Sequence, residues 1–485
     1  MGKNKMENNQ HEKMKILAFF EEVSRIPRKS GDEQEISDYL MEFAEKRGLE
    51  CQRDMAKNII IKKPASGGYE NVPAFALQAH MDMVYVREDE TKHTYGEPLM
   101  LYEENGLLKA RGTSLGADNG IGMAMILAVL DAKKLCHPTI EAIFTAEEED
   151  GLLGASKLDP EWVSARRLIN LDGEEEHTVI AGCAGAFRSE ISIPCTRSAE
   201  AQKTGIRITV GGFAGGHSGL EIEKQHVNAI LFIGRILADL YYRFEIKIVE
   251  IGGGTRMNNI PSSAWISVCC NEKEDEVLKR IAWWKDAVMP ELSPEDREFW
   301  INAEAEDIKN MPFDEDSAKR IIQALALIPN GMQRMSAEVK GLVETSNNVG
   351  VIETCSNKVI IVSNPRSSLE LQKEYMEFKL CALAQRLNGS ASIDSGYPVW
   401  EYAQESALRE LYLAEYKKRF QIDLKVAVLH GGLECGVLCQ KYPGMDAISI
   451  GPDIFKVHSI EEAVSVSSLE RVWKVLIGVL ENYAE

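Results

Sequence analysis

Short apolar strands alternate with helices in two separate parts of this chain, and that alternation most constrains the fold. In the first part, NIIIKKP, AFALQAH and TIEAIFTA are typical of strands, and GIGMAMILAVLDAKK is typical of a helix. The alternation returns near residue 400, in LKVAVLHGG and DAISIGP. This pattern predicts an α/β domain with a mostly parallel central sheet.

The stretch between these two parts has a different pattern, in which half-buried strands are combined with long helices. GIRITVGG and WISVCC are typical of strands, and HVNAILFIGRILADLYY is typical of a helix. An α+β insert of roughly two hundred residues is a normal size for a domain. We therefore predict a first domain at 1–187, an inserted domain at 188–398, and completion of the first domain at 399–485.

Charge and composition argue against several classes of partner. The formal net charge of −20 disfavours nucleic acid and anionic membrane surfaces. No apolar run reaches the length of a membrane span, and the polar start MGKNKMENNQHEKMK predicts no secretory signal. The 10 cysteines are scattered without a C-x-x-C pair, so we expect reduced thiols and a cytoplasmic protein.

Histidines and acidic residues lie at or just beyond the ends of the apolar strands, where open α/β sheets bind ligands. Five segments carry them: His80 and Asp82 in HMD, Asp118 in GADNG, Glu147 to Glu149 in TAEEEDG, Asp172 in NLDGEEE, and His458 in KVHSIEEA. Because the side-chain period of a strand is two, we expect His80 and Asp82 on one face of a buried strand.

This collection of polar groups favours a metal centre, although each segment alone is typical of a turn or a helix cap. Clustered carboxylates repel one another unless a cation lies among them. Two imidazoles with three or four carboxylates and no thiolate suit a pair of divalent ions, Zn²⁺ or alternatively Mn²⁺ or Co²⁺. In such sites the two ions are bridged by a carboxylate.

Short motifs are spread in order over most of the chain: QAHMDMV, SLGADNGIG, TAEEEDGLLGA, NLDGEEE with GCAG, GGHSG, GGT with NNIP, GLVETSNNVG, HGGLECG and VHS. As a set they resemble a dinuclear-zinc metallopeptidase family that includes carnosinases and aminoacylases. They are most similar to the aminoacyl-histidine (Xaa-His) dipeptidase branch. The resemblance implies a zinc-peptidase-like catalytic domain that is interrupted by a lid domain.

The resemblance also implies a set of metal ligands. The first ion would be bound by His80 and Asp172, the second by Glu149 and His458, and both by Asp118, which would precede a cis peptide bond. Asp82 would hydrogen-bond to the far nitrogen of His80 and orient its imidazole.

The acidic run would supply the general base. The family pattern T-x-x-E-E-x-G aligns with Thr145 and Gly151, which makes Glu148 and Glu149 the paired acids and Glu147 a bystander. Glu148 would take a proton from a metal-bridging water, so that the resulting hydroxide attacks the scissile carbonyl. It would then pass the proton to the leaving amine.

The lid would supply contacts to the substrate. His217 would stabilise the oxyanion of the tetrahedral intermediate, and Asn258 would bind substrate. Arg366 would grip the C-terminal carboxylate of the substrate with its two-pronged guanidinium. The family usually has Arg directly before this Asn, but here Met257 stands there, so the role of Arg256 stays open.

The motif HGGLECG adds Glu434, which could receive the free amino group of the substrate, and His430 in the same loop. A site that binds both ends of its substrate measures length and selects dipeptides. We therefore predict a cytoplasmic two-zinc dipeptidase for unblocked dipeptides, notably Xaa-His. An aminoacylase or other amidohydrolase, and an inactive metal-binding relative, stay open as alternatives, and so does a homodimer.

Overall fold

The computed structural model describes residues 15–199, 204–270 and 274–483. The prediction about a secretory signal falls on the N-terminal stretch, which lies almost wholly outside these residues. Among the described residues, none of the helices has both the length and the apolar character that a membrane crossing needs. All 10 cysteines are free thiols.

The chain divides into two compact units. The first unit runs to Cys183 and also contains Trp400–Leu429 and Leu433–Glu485, while the second contains Ala184–Val399 and His430–Gly432. The domain bounds expected from the sequence stay a prediction. They differ from the units at residues 184–187, at Val399 and at His430–Gly432, all of which the sequence bounds assign to the first domain.

The first unit is built on an eight-stranded sheet that is parallel at its centre. In spatial order its strands are Glu50–Arg53, Ile59–Lys63, Ile140–Thr145, Phe75–His80, Arg167–Asn170, Asp446–Ser449, Thr178–Cys183 and Lys425–Leu429. Phe75–His80 pairs in parallel with both of its neighbours, whereas the two strands at the Glu50 edge are antiparallel. The carboxyl ends of the central strands therefore meet at one edge of the sheet, as the predicted α/β fold requires.

Helices cover this sheet. They span 15–23, Gln34–Lys46, Ala117–Asp131, Leu153–Lys157, Ala407–Phe420, Glu434–Lys441 and Val466–Asn482. The helix Ala117–Asp131 is apolar on all sides and almost entirely buried, as expected for a helix inside the core. A smaller sheet contains, in spatial order, Ile454–Phe455, Ala463–Ser465, Leu107–Ala110 and Leu101–Glu104.

The second unit is an α+β arrangement, in agreement with the predicted insert. The strands of its antiparallel sheet are, in order, Trp300–Asp307, Thr204–Gly211, Ala264–Cys269, Lys247–Gly253, Val343–Thr354, Lys358–Ser367, Gly185–Pro194 and Ser390–Tyr397, and Gly331–Met335 pairs with Val343–Thr354. Its α-helices are Ala229–Phe244, Glu274–Ala287, Glu315–Leu327 and Glu370–Arg386, and its 3₁₀ helices are Ile222–Lys224, Met289–Glu291 and Pro294–Asp296.

An ion pair between a buried carboxylate and a partly exposed arginine stabilises the first unit and can be tested directly. The carboxylate of Glu176 is buried and accepts hydrogen bonds from Arg471 Nε (2.6 Å), Arg471 Nη2 (2.5 Å) and the hydroxyl of Tyr416. Arg471→Met should lower the free energy of unfolding by about 3 kcal/mol at pH 7, because it leaves a buried carboxylate without its cation. Urea denaturation measures this change.

The effect of this pair depends on pH with a definite sign. Burial raises the pKa of Glu176, but Arg471 and Tyr416 outweigh burial and hold it below its usual value. The stabilisation is therefore present above the unfolded pKa of about 4.3 and is lost as the pH falls through the folded pKa. Arg25→Met, which removes an exposed pair with Glu21, should cost less than about 1 kcal/mol. Equal losses in the two variants would contradict this account.

Candidate metal centre

The strand that leads into the site ends earlier than expected. It stops at His80, so the prediction that His80 and Asp82 share one face of a strand is wrong. The guanidinium of Arg28 binds the carbonyl oxygens of Met81 (3.0 Å) and Asp82 (2.9 Å). Because these two carbonyls bind Arg28, they do not pair with a neighbouring strand, and the strand ends at His80.

Asp82 nevertheless lies against the imidazole of His80. Nδ1 of His80 is 3.2 Å from the backbone oxygen of Asp82 and 3.4 Å from its carboxylate Oδ1. Nε2, on the far side of the ring, is 2.9 Å from Asp118 Oδ1 and 3.3 Å from Asp172 Oδ1. One nitrogen of His80 is thus held by Asp82, while the other faces two carboxylates.

Asp118 lies at the centre of the candidate site. Its Oδ1 faces His80, and its Oδ2 is 3.3 Å from Nε2 of His458, which also lies 2.8 Å from Glu149 Oε1. The peptide bond between Asp118 and Asn119 is cis, as the resemblance implied. Within the described parts of the chain, three groups of residues have ligand atoms within 4.8 Å of one another: His80, Asp118 and Asp172; Asp118, Glu149 and His458; and His80, Glu148 and Glu149.

Asp82 also holds the acidic turn. Its two carboxylate oxygens accept hydrogen bonds from the backbone N–H groups of Glu148 (3.0 Å) and Glu149 (3.2 Å), and Ser30 donates to Oδ2 (2.8 Å). Glu147 differs from its neighbours, because its side chain pairs with Lys157 (3.2 Å). This placement agrees with the prediction that Glu147 is a bystander.

The electrostatics of the cluster fit divalent cations. Burial raises the pKa of Glu148 well above its usual value and that of Asp172 to about 7, and in both cases neighbouring carboxylates add to the effect. Burial alone would lower the pKa of His80, but Asp172 and Asp118 raise it well above normal. Hydrogen bonds to Asp118 and Glu149 raise the pKa of His458 to about 10.

These raised pKa values mean that the closely spaced carboxylates and imidazoles of the cluster bind positive charge strongly. A divalent cation would supply that charge and keep the carboxylates ionised and the imidazoles neutral. The ligand atoms are imidazole nitrogens and carboxylate oxygens, a set that suits Zn²⁺, Mn²⁺ or Co²⁺. The residues of the cluster therefore fit a pair of such ions.

Glu434 belongs to the same unit and interacts electrostatically with His80 and Asp172 of this cluster. It is fully buried, and its Oε2 accepts hydrogen bonds from Gln78 (2.5 Å) and Thr145 (2.6 Å). Its Oε1 is buried without a hydrogen-bond partner among the described residues. Burial raises the pKa of Glu434 to about 7.

The second unit brings together the other predicted substrate residues. An added Cβ on Gly219 would lie 3.0 Å from both His217 Cε1 and Arg366 Nη1, so these two side chains flank the same glycine. The N–H of Ser218 donates to the carbonyl of Asn258 (2.8 Å), which ties the Asn258 loop to the His217 loop. Gly216, just before His217, has φ of 122°, a conformation that favours glycine.

Arg366 and His430 are buried neighbours in this second cluster. Arg366 Nη1 donates to the hydroxyl of Tyr397 (2.8 Å) and to the carbonyl of His430 (3.4 Å). Nε2 of His430 is 2.7 Å from Ser346 Oγ. Burial, and then the charge of Arg366, lower the pKa of His430 to about 3 and also lower that of His217. Both imidazoles are therefore neutral.

The sequence analysis missed several residues that support these clusters. Asn119 donates to Asp172 Oδ1 (2.7 Å), and Arg28 and Glu462 hold the backbone around Asp118. Asn119 lies inside the GADNG motif, so its position was a usable signal. Arg28 and Glu462 are single charged residues in loops, and no pattern in one sequence marks them as buried.

Residues 76–482 of the chain match the peptidase family M20/M25/M40. The chain belongs to this family. It is 34% identical over 466 residues to the cytosol non-specific dipeptidase of Escherichia coli (strain K12), an alignment that covers 96% of each protein. An aminoacylhistidine dipeptidase from Vibrio alginolyticus has a similar crystal structure, with a TM-score of 0.88, 34% identity and 96% coverage of both chains.

A more distant relative shares the fold alone. Aminopeptidase PepT from Bacillus cereus superposes with a TM-score of 0.61 at 17% identity, covering 98% of this chain and 99% of that one. Together these similarities confirm the family drawn from the motifs and the α/β fold with its insert, and the protein is a peptidase.

Proposed function

We propose that this peptidase is a cytoplasmic dipeptidase that uses two divalent metal ions, Zn²⁺ by preference, to hydrolyse unblocked dipeptides, including Xaa-His. The observation that carries the proposal is the position of Asp118, whose two oxygens face His80 on one side and His458 on the other. The 34% identity to a named dipeptidase along 96% of the chain supports the choice of substrate.

In this proposal five residues hold the metal pair. His80 and Asp172 would hold the first ion, Glu149 and His458 would hold the second, and Asp118 would contact both. When bound, the two ions polarise the scissile carbonyl and lower the pKa of water. Asp82 keeps the His80 ring oriented through its Nδ1 side.

Glu148 is the proposed general base. Its backbone is fixed by Asp82, and its carboxylate lies within 4.8 Å of the ligand atoms of His80 and Glu149, so it lies beside the proposed ions and the water between them. It takes the proton of the attacking water and delivers it to the amine nitrogen of the leaving residue. His217, whose imidazole is neutral, donates to the carbonyl oxygen as negative charge develops there.

The second unit contributes the groups that bind the carboxylate end of the substrate. Arg366 is almost fully buried, and its Nε has no hydrogen-bond partner among the described residues. A buried guanidinium with an unused donor suits a substrate carboxylate. Asn258 and His430 lie in loops that contact the same cluster and complete the proposed contacts.

Glu434 is proposed to recognise the free amino group through Oε1, the oxygen without a partner among the described residues. Blocking that amino group would leave the buried carboxylate unpaired, so the site would penalise N-acetyl compounds. This residue therefore distinguishes a dipeptidase from an aminoacylase on the same scaffold.

A substrate panel with controlled metal content tests the proposed function. The protein is stripped with a chelator and restored with Zn²⁺, Mn²⁺ or Co²⁺, and free dipeptides are then compared with N-acetyl amino acids. We expect no hydrolysis by the stripped protein, recovery with metal, and higher kcat/KM for free dipeptides. A preference for N-acetyl compounds would favour the aminoacylase. If none of the three metals restored hydrolysis of any compound, an inactive relative would be favoured.

Arg366→Lys should raise KM for free dipeptides by about 10–100-fold, because an ammonium cannot make the two parallel bonds of a guanidinium and charge-assisted bonds contribute about 1.5–3 kcal/mol. Steady-state kinetics on each dipeptide and its C-terminal amide measure the effect. The wild type should favour the free acid, and the variant should lose that preference. The proposed carboxylate contact is wrong if the preference survives the substitution.

A further inference from the structure

Arg28 is a buried cation that joins two segments of the candidate metal centre. Its side chain is 1% exposed. Nη1 donates to the carbonyls of Met81 and Asp82, and Nη2 donates to the carbonyl of Gly116 (2.5 Å). Arg28 therefore ties the segment that follows His80 to the segment that precedes Asp118.

Glu462 is a buried anion that binds the same second segment through its amides. Oε2 accepts from the N–H groups of Leu115 and Gly116 (both 2.8 Å). Oε1 accepts from Ala117 (2.8 Å) and Asp118 (3.2 Å). The first amides of a helix have no acceptor within it, and here one carboxylate satisfies four consecutive N–H groups.

Glu462 also connects this segment to a third one. It lies four residues after His458, whose Nε2 faces Asp118 and Glu149. The N–H of Glu462 donates to the carbonyl of Ser459 (3.2 Å), so the loop between His458 and Glu462 is short and closed by its own hydrogen bond. Fixing Glu462 on residues 115–118 thus also limits where His458 lies relative to Asp118.

We propose that Arg28 and Glu462 form a clasp of positioning residues that sets where the Asp118 carboxylate lies, and thereby how tightly the metal pair binds. This rests on the proposed function, since it takes Asp118 as the residue shared by both ions. The clasp acts on the backbone alone. Arg28 donates to the carbonyl of Gly116, and Glu462 accepts from the backbone N–H groups of residues 115–118.

The same unit contains chemically matched residues on segments that carry no predicted metal ligand. Glu141 is buried and accepts from the N–H groups of Ser164 and Ala165 (both 2.9 Å). Arg409 is buried and donates to the carbonyls of Ala403 and Gln404 (both 2.7 Å). If the clasp only stabilised the fold, substitutions of Glu141 and Arg409 would change metal affinity as much as substitutions of Arg28 and Glu462.

The experiment compares Glu462→Gln and Arg28→Met with Glu141→Gln and Arg409→Met in the full-length protein. Zn²⁺ affinity is measured by competition with a chromophoric chelator, and the Co²⁺-loaded protein is examined by visible absorption. Thermal unfolding of each metal-free variant measures stability separately. In Glu462→Gln an NH₂ group would face two backbone N–H groups, which displaces the segment while keeping the side-chain shape.

We expect the clasp variants to bind at least one of the two ions about 10–100-fold more weakly and to change the Co²⁺ spectrum, as loss of partners outside the ligand set does at other metal sites. Arg28→Lys, which keeps the charge, should recover part of the affinity. The Glu141 and Arg409 variants should keep wild-type affinity even where they lower the unfolding temperature equally.

Three results distinguish failure of the clasp from failure of the proposed function. Wild-type affinity and an unchanged Co²⁺ spectrum in Glu462→Gln would overturn the clasp while leaving the dipeptidase intact. Equal loss of affinity in the control variants would overturn it as well. A wild-type protein that binds no pair of ions would instead overturn the proposed function, and the clasp with it. If Arg28→Met does not fold, Glu462→Gln decides.

Discussion

Glu148→Gln should lower kcat for a free dipeptide by about 10²–10⁴-fold while the protein keeps both metal ions, because an amide cannot take up and return a proton. Glu148 is placed for that task. One of its carboxylate oxygens lies within 4.8 Å of the ligand atoms of His80 and Glu149, and its backbone N–H is held by Asp82. Steady-state kinetics give kcat, and mass spectrometry of the bound metal gives the ion content of the same sample.

Glu147→Gln is the matched control. It changes the adjacent carboxylate in the same turn, but that side chain pairs with Lys157 and belongs to none of the three ligand groups. Its kcat should stay within about threefold of the wild type, as expected for a surface pair of little energetic value. A Glu148→Gln variant with near wild-type kcat, or a Glu147→Gln variant equally impaired, would remove Glu148 from the mechanism.

The polar groups at strand ends could be predicted because sheet geometry fixes where those ends meet. His80, Asp118 and Asp172 are distant in the chain, but each follows an apolar run or begins a helix at the carboxyl edge of a parallel sheet. The same logic wrongly extended the strand to Asp82, which lies beyond the end of the strand at His80. A period of two holds only while the strand continues, and Arg28 occupies the carbonyls that a longer strand would pair.

Other features could not be predicted, because they depend on contacts between segments far apart in the chain. Arg28 contacts Gly116, 88 residues away, and Glu462 contacts Leu115, 347 residues away. The grouping of His430 with the second unit follows from its bonds to Ser346 and Arg366 and not from any change in composition near residue 430. The motifs predicted the candidate site residues, but Arg28 and Glu462, which hold the backbone around Asp118, had no such signal.

Asp118→Asn should abolish binding of both ions and reduce dipeptide hydrolysis below detection. Asp118 is the residue that belongs both to the His80 and Asp172 group and to the Glu149 and His458 group. An amide has no negative charge and only one acceptor oxygen, so it cannot bridge two cations as a carboxylate does. Isothermal titration of the chelator-stripped variant with Zn²⁺ measures stoichiometry and affinity without reference to activity.

Asp172→Asn provides the comparison that makes this test specific. Asp172 belongs to one of the two groups, and its carboxylate also accepts a hydrogen bond from Asn119 (2.7 Å). Loss of its charge should therefore weaken the binding of one ion and leave the binding of the other unchanged. The expected series is two ions in the wild type, one in Asp172→Asn and none in Asp118→Asn. If Asp118→Asn still bound two ions, the carboxylate would not bridge them, and the assignment of ligands to each ion would have to be redrawn around Glu149.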